Sequence, residues 1–400
     1  MARVRHGYDW GERSDRWSGV VSQVVDIGGV RVHYLRIDAA GAAPRDAPPH
    51  LLVHPLGAGS WSWMDVIGPL ATHGPVFAPD LPAAGCTRSV DPHAGRAEHG
   101  ARFLADLCEA LDLDRVVLHG HSMGALVGAL FAARHPEQVA RLVLTGPALP
   151  GLPDPPRYAS AWRFALGLAP RLARIPMRAG IRLKTGPWRR WRADPTDPRL
   201  TEAMARMGTD ASRISPALLT LIGEEIERYR VPWRIDGAIQ AAVSALAAMT
   251  VDEGMVRAEL ERIDVPTLVL WGEQDCVIPR RLVDGLTVLH PAWDFRIVDG
   301  IGHLLPVEAP QLYVELIADW MGGRTERAPW AALMRCSRDA GELTTGAAMA
   351  QSSPSSSKSG HAAMSTPWFS GDASVHQWGT CVSSARRPPA SSAAATRASA

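Results

Sequence analysis

The chain has 400 residues, 46% of them hydrophobic, with a formal net charge of +1. That is ample for one large apolar core with an appendage, and so even a balance leaves no electrostatic footprint for nucleic acid. The longest apolar stretches, such as Ala238 to Ala248, fall short of the roughly 20 residues a bilayer-spanning helix requires.

Residues 1–18 are polar and charged and are expected to form a flexible arm. They open with Met1-Ala2-Arg3-Val4-Arg5-His6 and lack the apolar segment of a secretory signal. The five cysteines, Cys86, Cys108, Cys276, Cys336 and Cys381, show no paired spacing. An odd, sparse set points to a reducing compartment, here the cytoplasm, and to no disulfide frame. Residues 20–26 and 30–37 are rich in β-formers and meet at Gly28-Gly29, which reads as a hairpin. Strands then alternate with helices. Strands are expected at 51–53, 76–78, 115–118 and 142–144, and helices at 60–71, 94–111 and 123–134, the last stopped by Pro136. Buried, non-alternating strands between helices imply a mainly parallel sheet covered on both faces, with ligands at the carboxyl ends of its strands.

The apolar run Val116-Val117-Leu118 leads straight into Gly120-His121-Ser122-Met123-Gly124. Gly-x-Ser-x-Gly between a strand and a helix is a nucleophile elbow: the turn exposes the serine oxygen above the sheet, and the two glycines leave room for strand and helix to pass. Ser122 is therefore the candidate nucleophile, and the Met123 N–H a candidate oxyanion donor. A serine hydroxyl needs a histidine to take its proton and a carboxylate to orient that histidine. After such an elbow the acid comes first and the histidine second. The segment Pro266 to Gly272 reads as a buried strand with Asp275 just beyond it, and Asp294 to Val298 reads as another, followed by Gly302-His303. Asp275 and His303 complete the candidate triad. Glu273 is the rival acid, read as a solvated loop residue, and Cys276 is read as a packing residue. No Cys/His cluster has metal-ligand spacing and no phosphate-binding glycine loop occurs, so neither a metal nor another cofactor is expected.

With these motifs the chain resembles the α/β-hydrolase-fold serine hydrolases of the esterase/lipase-like group, over about residues 20 to 322. The resemblance implies an α/β fold with a mostly parallel eight-stranded sheet flanked by helices, and a helical lid inserted after the sixth strand. The core would then comprise 19–150 and 261–322. His54-Pro55-Leu56-Gly57 stands where the family carries His-Gly-x-Gly, which makes the Leu56 N–H the second oxyanion donor. Pro55 replaces a glycine, but the donor belongs to the next residue. Asp80-Leu81-Pro82-Ala83-Ala84-Gly85 resembles a structural turn of the family, and Trp61 and Trp63 are read as packing residues.

Residues 151–260 are placed by the resemblance as the lid. Its basic run, Arg171, Lys184 and Arg190 among others, outnumbers Asp194, Asp197 and Glu202 and is interspersed with Trp162, Trp188, Trp191 and Trp233. Two readings stand: a solvated helical face, or a surface for a membrane or a charged acyl carrier. Ala238 to Met249 reads as an apolar lid helix or an ordinary buried one. Residues 323–400 are Ser- and Ala-rich without period and read as a disordered tail.

The resemblance implies hydrolysis of a carboxylic ester of a small to medium, largely apolar substrate through an acyl-enzyme. Amide, lactone, thioester or C–C bond cleavage, perhydrolase or haloperoxidase-like turnover, and slow-turnover ligand binding are the alternatives. Epoxide hydrolysis and dehalogenation are disfavoured, because those relatives carry Asp at the position of Ser122.

Overall fold

A computed structural model describes residues 5–41, 43–82, 84–87, 94–149, 197–228 and 253–323. The basic run through Arg192, the helix expected at Ala238 to Met249 and the tail from residue 324 lie outside the described residues.

The strands are β1 (Arg5–Asp9), β2 (Val21–Ile27), β3 (Val30–Ile37), β4 (His50–Val53), β5 (Val76–Pro79), β6 (Val116–His121), β7 (Val139–Thr145), β8 (Thr267–Gly272) and β9 (Asp294–Val298). They form one nine-stranded sheet in the order β1-β2-β3-β5-β4-β6-β7-β8-β9. The first three strands and the β3–β5 pair are antiparallel. Every later pair is parallel. All residues of β4, β5, β6 and β8 are buried, which is why their sequences are continuous apolar runs rather than alternating ones.

Among the described residues the sheet has one strand more than the eight expected. Residues 5–9, read from the sequence as part of a loose arm, pair with β2 at the sheet edge, Arg5 opposite Val24 and Asp9 opposite Val21. Edge pairing uses backbone groups, so it leaves no apolar alternation to read. Residues 9–17 are also built in. The Asp9 carboxylate accepts from Gly11 N–H at 2.8 Å, the Trp10 indole N–H donates to Ser22 Oγ at 3.0 Å, and that of buried Trp17 donates to Asp65 Oδ1 at 2.8 Å.

Apolar clusters cover both faces. On one lie α2 (Ala97–Ala110) and α3 (Met123–Arg134), with the described helices Glu253–Leu260 and Arg280–Leu289. On the other lie α1 (Met64–Leu70) and the helices Leu305–Glu308 and Pro310–Met321. In chain order the remaining described helices are α4 (Pro198–Ala205), α5 (Pro216–Arg228), α6 (Glu253–Leu260), α7 (Arg280–Leu289), α8 (Leu305–Glu308) and α9 (Pro310–Met321). The single helix expected at 60–71 is instead a 3₁₀ turn, Ser60–Trp63, leading into α1. Asp80 Oδ1 holds the Ser60 N–H at 2.6 Å and Ser62 Oγ donates to the Gly59 carbonyl at 2.8 Å, which tightens the first turn. Leu200 and Met204 of α4 and Leu218, Leu221 and Ile222 of α5 share the apolar cluster of α1 and α9. The described part of the inserted segment is thus packed on the core. Among the described residues no helix is long and apolar enough to cross a membrane.

Candidate active site

Four of the five sequence-predicted residues stand just past the carboxyl ends of parallel strands: Leu56 after β4, Ser122 and Met123 after β6, and Asp275 after β8. His303 follows β9 at the same edge.

Ser122 is the junction between β6 and α3, with φ +54° and ψ −113°. Only it and Asp112 have positive φ among the described non-glycine residues. Such a conformation costs of order 1–3 kcal/mol and persists only where the surroundings dictate it. Here the Ser122 N–H donates to the Thr145 carbonyl at 2.9 Å, and the Ser122 carbonyl accepts from Ala125 and Ala148 N–H at 3.1 and 3.2 Å. The flanking glycines have no room for a side chain. A Cβ on Gly120 would strike the Gly124 carbonyl and Ala125, and one on Gly124 would strike the Val53 and His54 carbonyls. That second approach seats the N-terminus of α3 against the end of β4. Among the described residues neither Met123 N–H nor Leu56 N–H meets an acceptor. Both donors belong to backbone at that seat, and α3 adds the positive end of its dipole.

The Leu56 loop is held by its neighbour. The His54 Nδ1–H donates to the Pro55 carbonyl at 2.8 Å and Nε2 accepts from Leu81 N–H at 3.0 Å. Burial keeps this imidazole neutral, its pKa below the ordinary value. The Asp80 turn has the structural role expected of it. Its carboxylate accepts from Ser60, Cys86 and His33 Nδ1. Burial alone would push that carboxyl up, but His33, His54 and the Ser60 N–H hold it below the usual carboxylate range. His33, Asp80 and Cys86 bring donor atoms within 4.8 Å of one another. Both Asp80 oxygens are already engaged, so this trio reads as a structural knot rather than a metal centre.

Asp275 and His303 meet directly: His303 Nδ1 lies 2.7 Å from Asp275 Oδ2. A carboxylate only accepts, so Nδ1 carries the proton and Nε2 is left as the base. The other carboxylate oxygen, Oδ1, accepts from Val277 and Ile278 N–H at 2.7 and 2.8 Å. Gly146, at φ +46°, lies beneath this pair, and a Cβ there would stand 3.2 Å from His303 Nδ1 and 3.3 Å from Asp275 Oδ2. Glu273 is exposed and receives the Gly300 N–H at 3.1 Å, away from the imidazole. Cys276 corrects the sequence reading: it is exposed rather than packed, because the turn that buries Asp275 points the next side chain outward.

Two contributors had no signal of their own in the sequence. His121, buried beside Ser122, donates from Nε2 to the His303 carbonyl at 2.9 Å, and the two rings lie 5.2 Å apart. Burial first, and then the nearby His303, lower its pKa to about 3, so the donor stays neutral. The Met207 carbonyl accepts the His303 N–H at 3.1 Å.

The family model for the alpha/beta hydrolase fold matches residues 48–310. The chain belongs to that family. It is 27% identical over 315 residues to the 2-hydroxy-6-oxo-2,4-heptadienoate hydrolase of Pseudomonas putida, covering 75% of this chain and 96% of that protein. It is also 27% identical to a 2-hydroxy-6-oxononadienedioate/2-hydroxy-6-oxononatrienedioate hydrolase of Cupriavidus pinatubonensis, covering 68% and 86%. Among solved structures it is similar to the naproxen esterase of Bacillus subtilis, with a TM-score of 0.52 and 19% identity over 78% of this chain and 95% of the other. This α/β hydrolase is therefore an enzyme of a hydrolytic family.

Proposed function

We propose that this α/β hydrolase cleaves a carboxylic ester of a small, largely apolar molecule through an acyl-enzyme on Ser122. The observation that carries the reading is the left-handed backbone of Ser122 at a strand–helix junction, where His121, the residue before it, is hydrogen-bonded to His303 and His303 in turn to Asp275. In this reading the substrate carbonyl oxygen lies toward the Leu56 and Met123 N–H groups. His303 Nε2 takes the Ser122 proton as Oγ attacks, and Asp275 stabilises the imidazolium. The alcohol departs with that proton. Water, deprotonated by the same imidazole, then releases the acid. The described helices Pro198–Ala205 and Pro216–Arg228, which lie between β7 and β8, bound the pocket on the side of the acid–base loops.

A second reading has a specific support. The curated relatives named above are hydrolases of hydroxy-oxo-dienoates, so the same three residues would cleave a C–C bond next to a ketone.

One panel separates the two. p-Nitrophenyl esters from acetate to palmitate and 2-hydroxy-6-oxohepta-2,4-dienoate are compared by kcat/KM, each beside Ser122→Ala. Ester turnover that exceeds dienoate turnover and falls at least about 10³-fold in the variant is the expected result. A dienoate preference would replace the ester reading with the C–C one. Turnover of neither by the folded enzyme would contradict both.

A further inference from the structure

Among the described residues, the inserted segment meets the loops of the candidate acid–base pair at the turn Met207-Gly208-Thr209, between α4 and the 3₁₀ turn Ala211–Arg213. The contact is made of backbone. The Met207 carbonyl accepts two N–H groups, that of His303 at 3.1 Å and, at a longer 3.5 Å, that of Cys276, the residue after Asp275. One oxygen therefore bridges the two loops that carry the acid and the base. Thr209, buried, accepts the Leu304 N–H on its Oγ1 at 3.3 Å. Gly208 has φ +76°, and a Cβ there would collide with the Gln274 carbonyl. Gly302, immediately before His303, has no space for a side chain because Gly208 fills it. A buried carboxylate closes the arrangement: Glu308 accepts Gly302 N–H at 3.1 Å and Asp210 N–H at 3.2 Å, while Arg213 Nη1 donates to the Gly300 carbonyl at 2.8 Å.

We infer that Met207-Gly208-Thr209 is a positioning element for catalysis: it fixes His303 and Asp275 in register, so this turn of the inserted segment belongs to the acid–base apparatus. The inference rests on the assignment of His303 as the base of Ser122. Its physical ground is that His303 has no helix or strand to hold it. Its N–H is held by Met207, its carbonyl by His121, the next N–H by Thr209 and the preceding N–H by Glu308. Two of those four ties come from the turn, and misplacing a reacting group by about 1 Å can cost about 10²-fold in rate.

The test uses Thr209→Val, Thr209→Ser and Gly208→Ala in the full chain. One readout needs no substrate, the rate at which an alkyl fluorophosphonate is captured by Ser122 Oγ with loss of fluoride. Another is the pH dependence of that rate. Thr209→Val removes the acceptor at constant shape, and is expected to slow capture about 5-fold and to move the acid limb of the profile. Thr209→Ser is expected to restore both. Gly208→Ala is expected to slow capture about 100-fold. If that variant does not fold, the Thr209 pair decides alone. Thr209→Val with wild-type capture rate and pH profile would overturn the inference. Should the wild-type enzyme not be labelled at Ser122, the assignment of function has failed, and proton NMR of the His303 Nδ1–H hydrogen bond takes over. Loss of that downfield signal in Thr209→Val but not in Thr209→Ser then upholds the positioning role, and its retention in both rejects it.

Discussion

Ser122→Gly is expected to abolish hydrolysis and, at the same time, to raise the thermal midpoint by about 2 °C. The two effects have one origin. The serine is held at φ +54° by three backbone hydrogen bonds, in a region where a Cβ is crowded and glycine is not. Removing the Cβ should recover about 1 kcal/mol of strain, net of the extra freedom glycine gains when unfolded. In the proposed mechanism, removing the hydroxyl leaves His303 with nothing to activate, a loss of about 10⁴-fold or more in kcat. Ser122→Ala isolates the two contributions. It loses the hydroxyl but keeps the Cβ, so it should be as inactive as Ser122→Gly without the gain in stability. Scanning calorimetry on both variants, beside turnover, checks this. Equal midpoints for the glycine and alanine variants would show that the elbow stores no strain.

Urea unfolding is expected to become much easier between pH 7.5 and pH 5. His50 and His119 are buried and hydrogen-bonded to each other at 2.9 Å, and His119 Nδ1 lies 3.0 Å from the Tyr313 hydroxyl. His54 and His121 are buried at the site itself. In all four, burial comes first among the causes that lower the pKa, to about 4 for His50 and about 3 for His121, with neighbouring histidines lowering it further for His50, His119 and His121. Unfolded imidazoles titrate near 6.5. Between that value and the lower folded ones the unfolded chain binds protons that the folded chain does not, so stability falls as pH drops through this window. At pH 5 His50 and His121 should each cost about 2 kcal/mol relative to pH 7.5, against a total of about 5–15 kcal/mol. Asp80 adds nothing here. Its carboxyl titrates below the usual carboxylate range when folded, so its contribution is intact at pH 5 and is lost only in stronger acid. The urea midpoint should fall by more than about 1 M. A midpoint constant across this range would mean that these histidines are not buried as neutral groups.

Much of this frame is legible in the sequence because its signals are local. Apolar runs mark β4, β6 and β8, and each turns immediately into the loop that bears Leu56, Ser122 or Asp275. The hairpin at Gly28-Gly29 joins β2 to β3 because two consecutive glycines supply the positive φ values it needs. What was not legible depends on contacts distant in sequence. β1 pairs through backbone with a strand past an intervening turn. β6 runs three residues beyond its apolar core, because His119, Gly120 and His121 pair with β7, although neither histidine nor glycine favours a strand. The ties from Met207 and Thr209 to His303 and Leu304 span more than ninety residues and use main chain and one ordinary hydroxyl. No local pattern announces such a contact.

The central claim is that Ser122 is a nucleophile activated by His303. It is tested most directly by treating the wild type, Ser122→Ala and His303→Gln with an alkyl fluorophosphonate and mapping the adduct by peptide mass spectrometry. A single adduct on Ser122 is expected in the wild type, none in Ser122→Ala, and capture slowed by about 10³-fold or more in His303→Gln. An adduct on another residue, no adduct on the folded wild type, or capture indifferent to His303→Gln would contradict it.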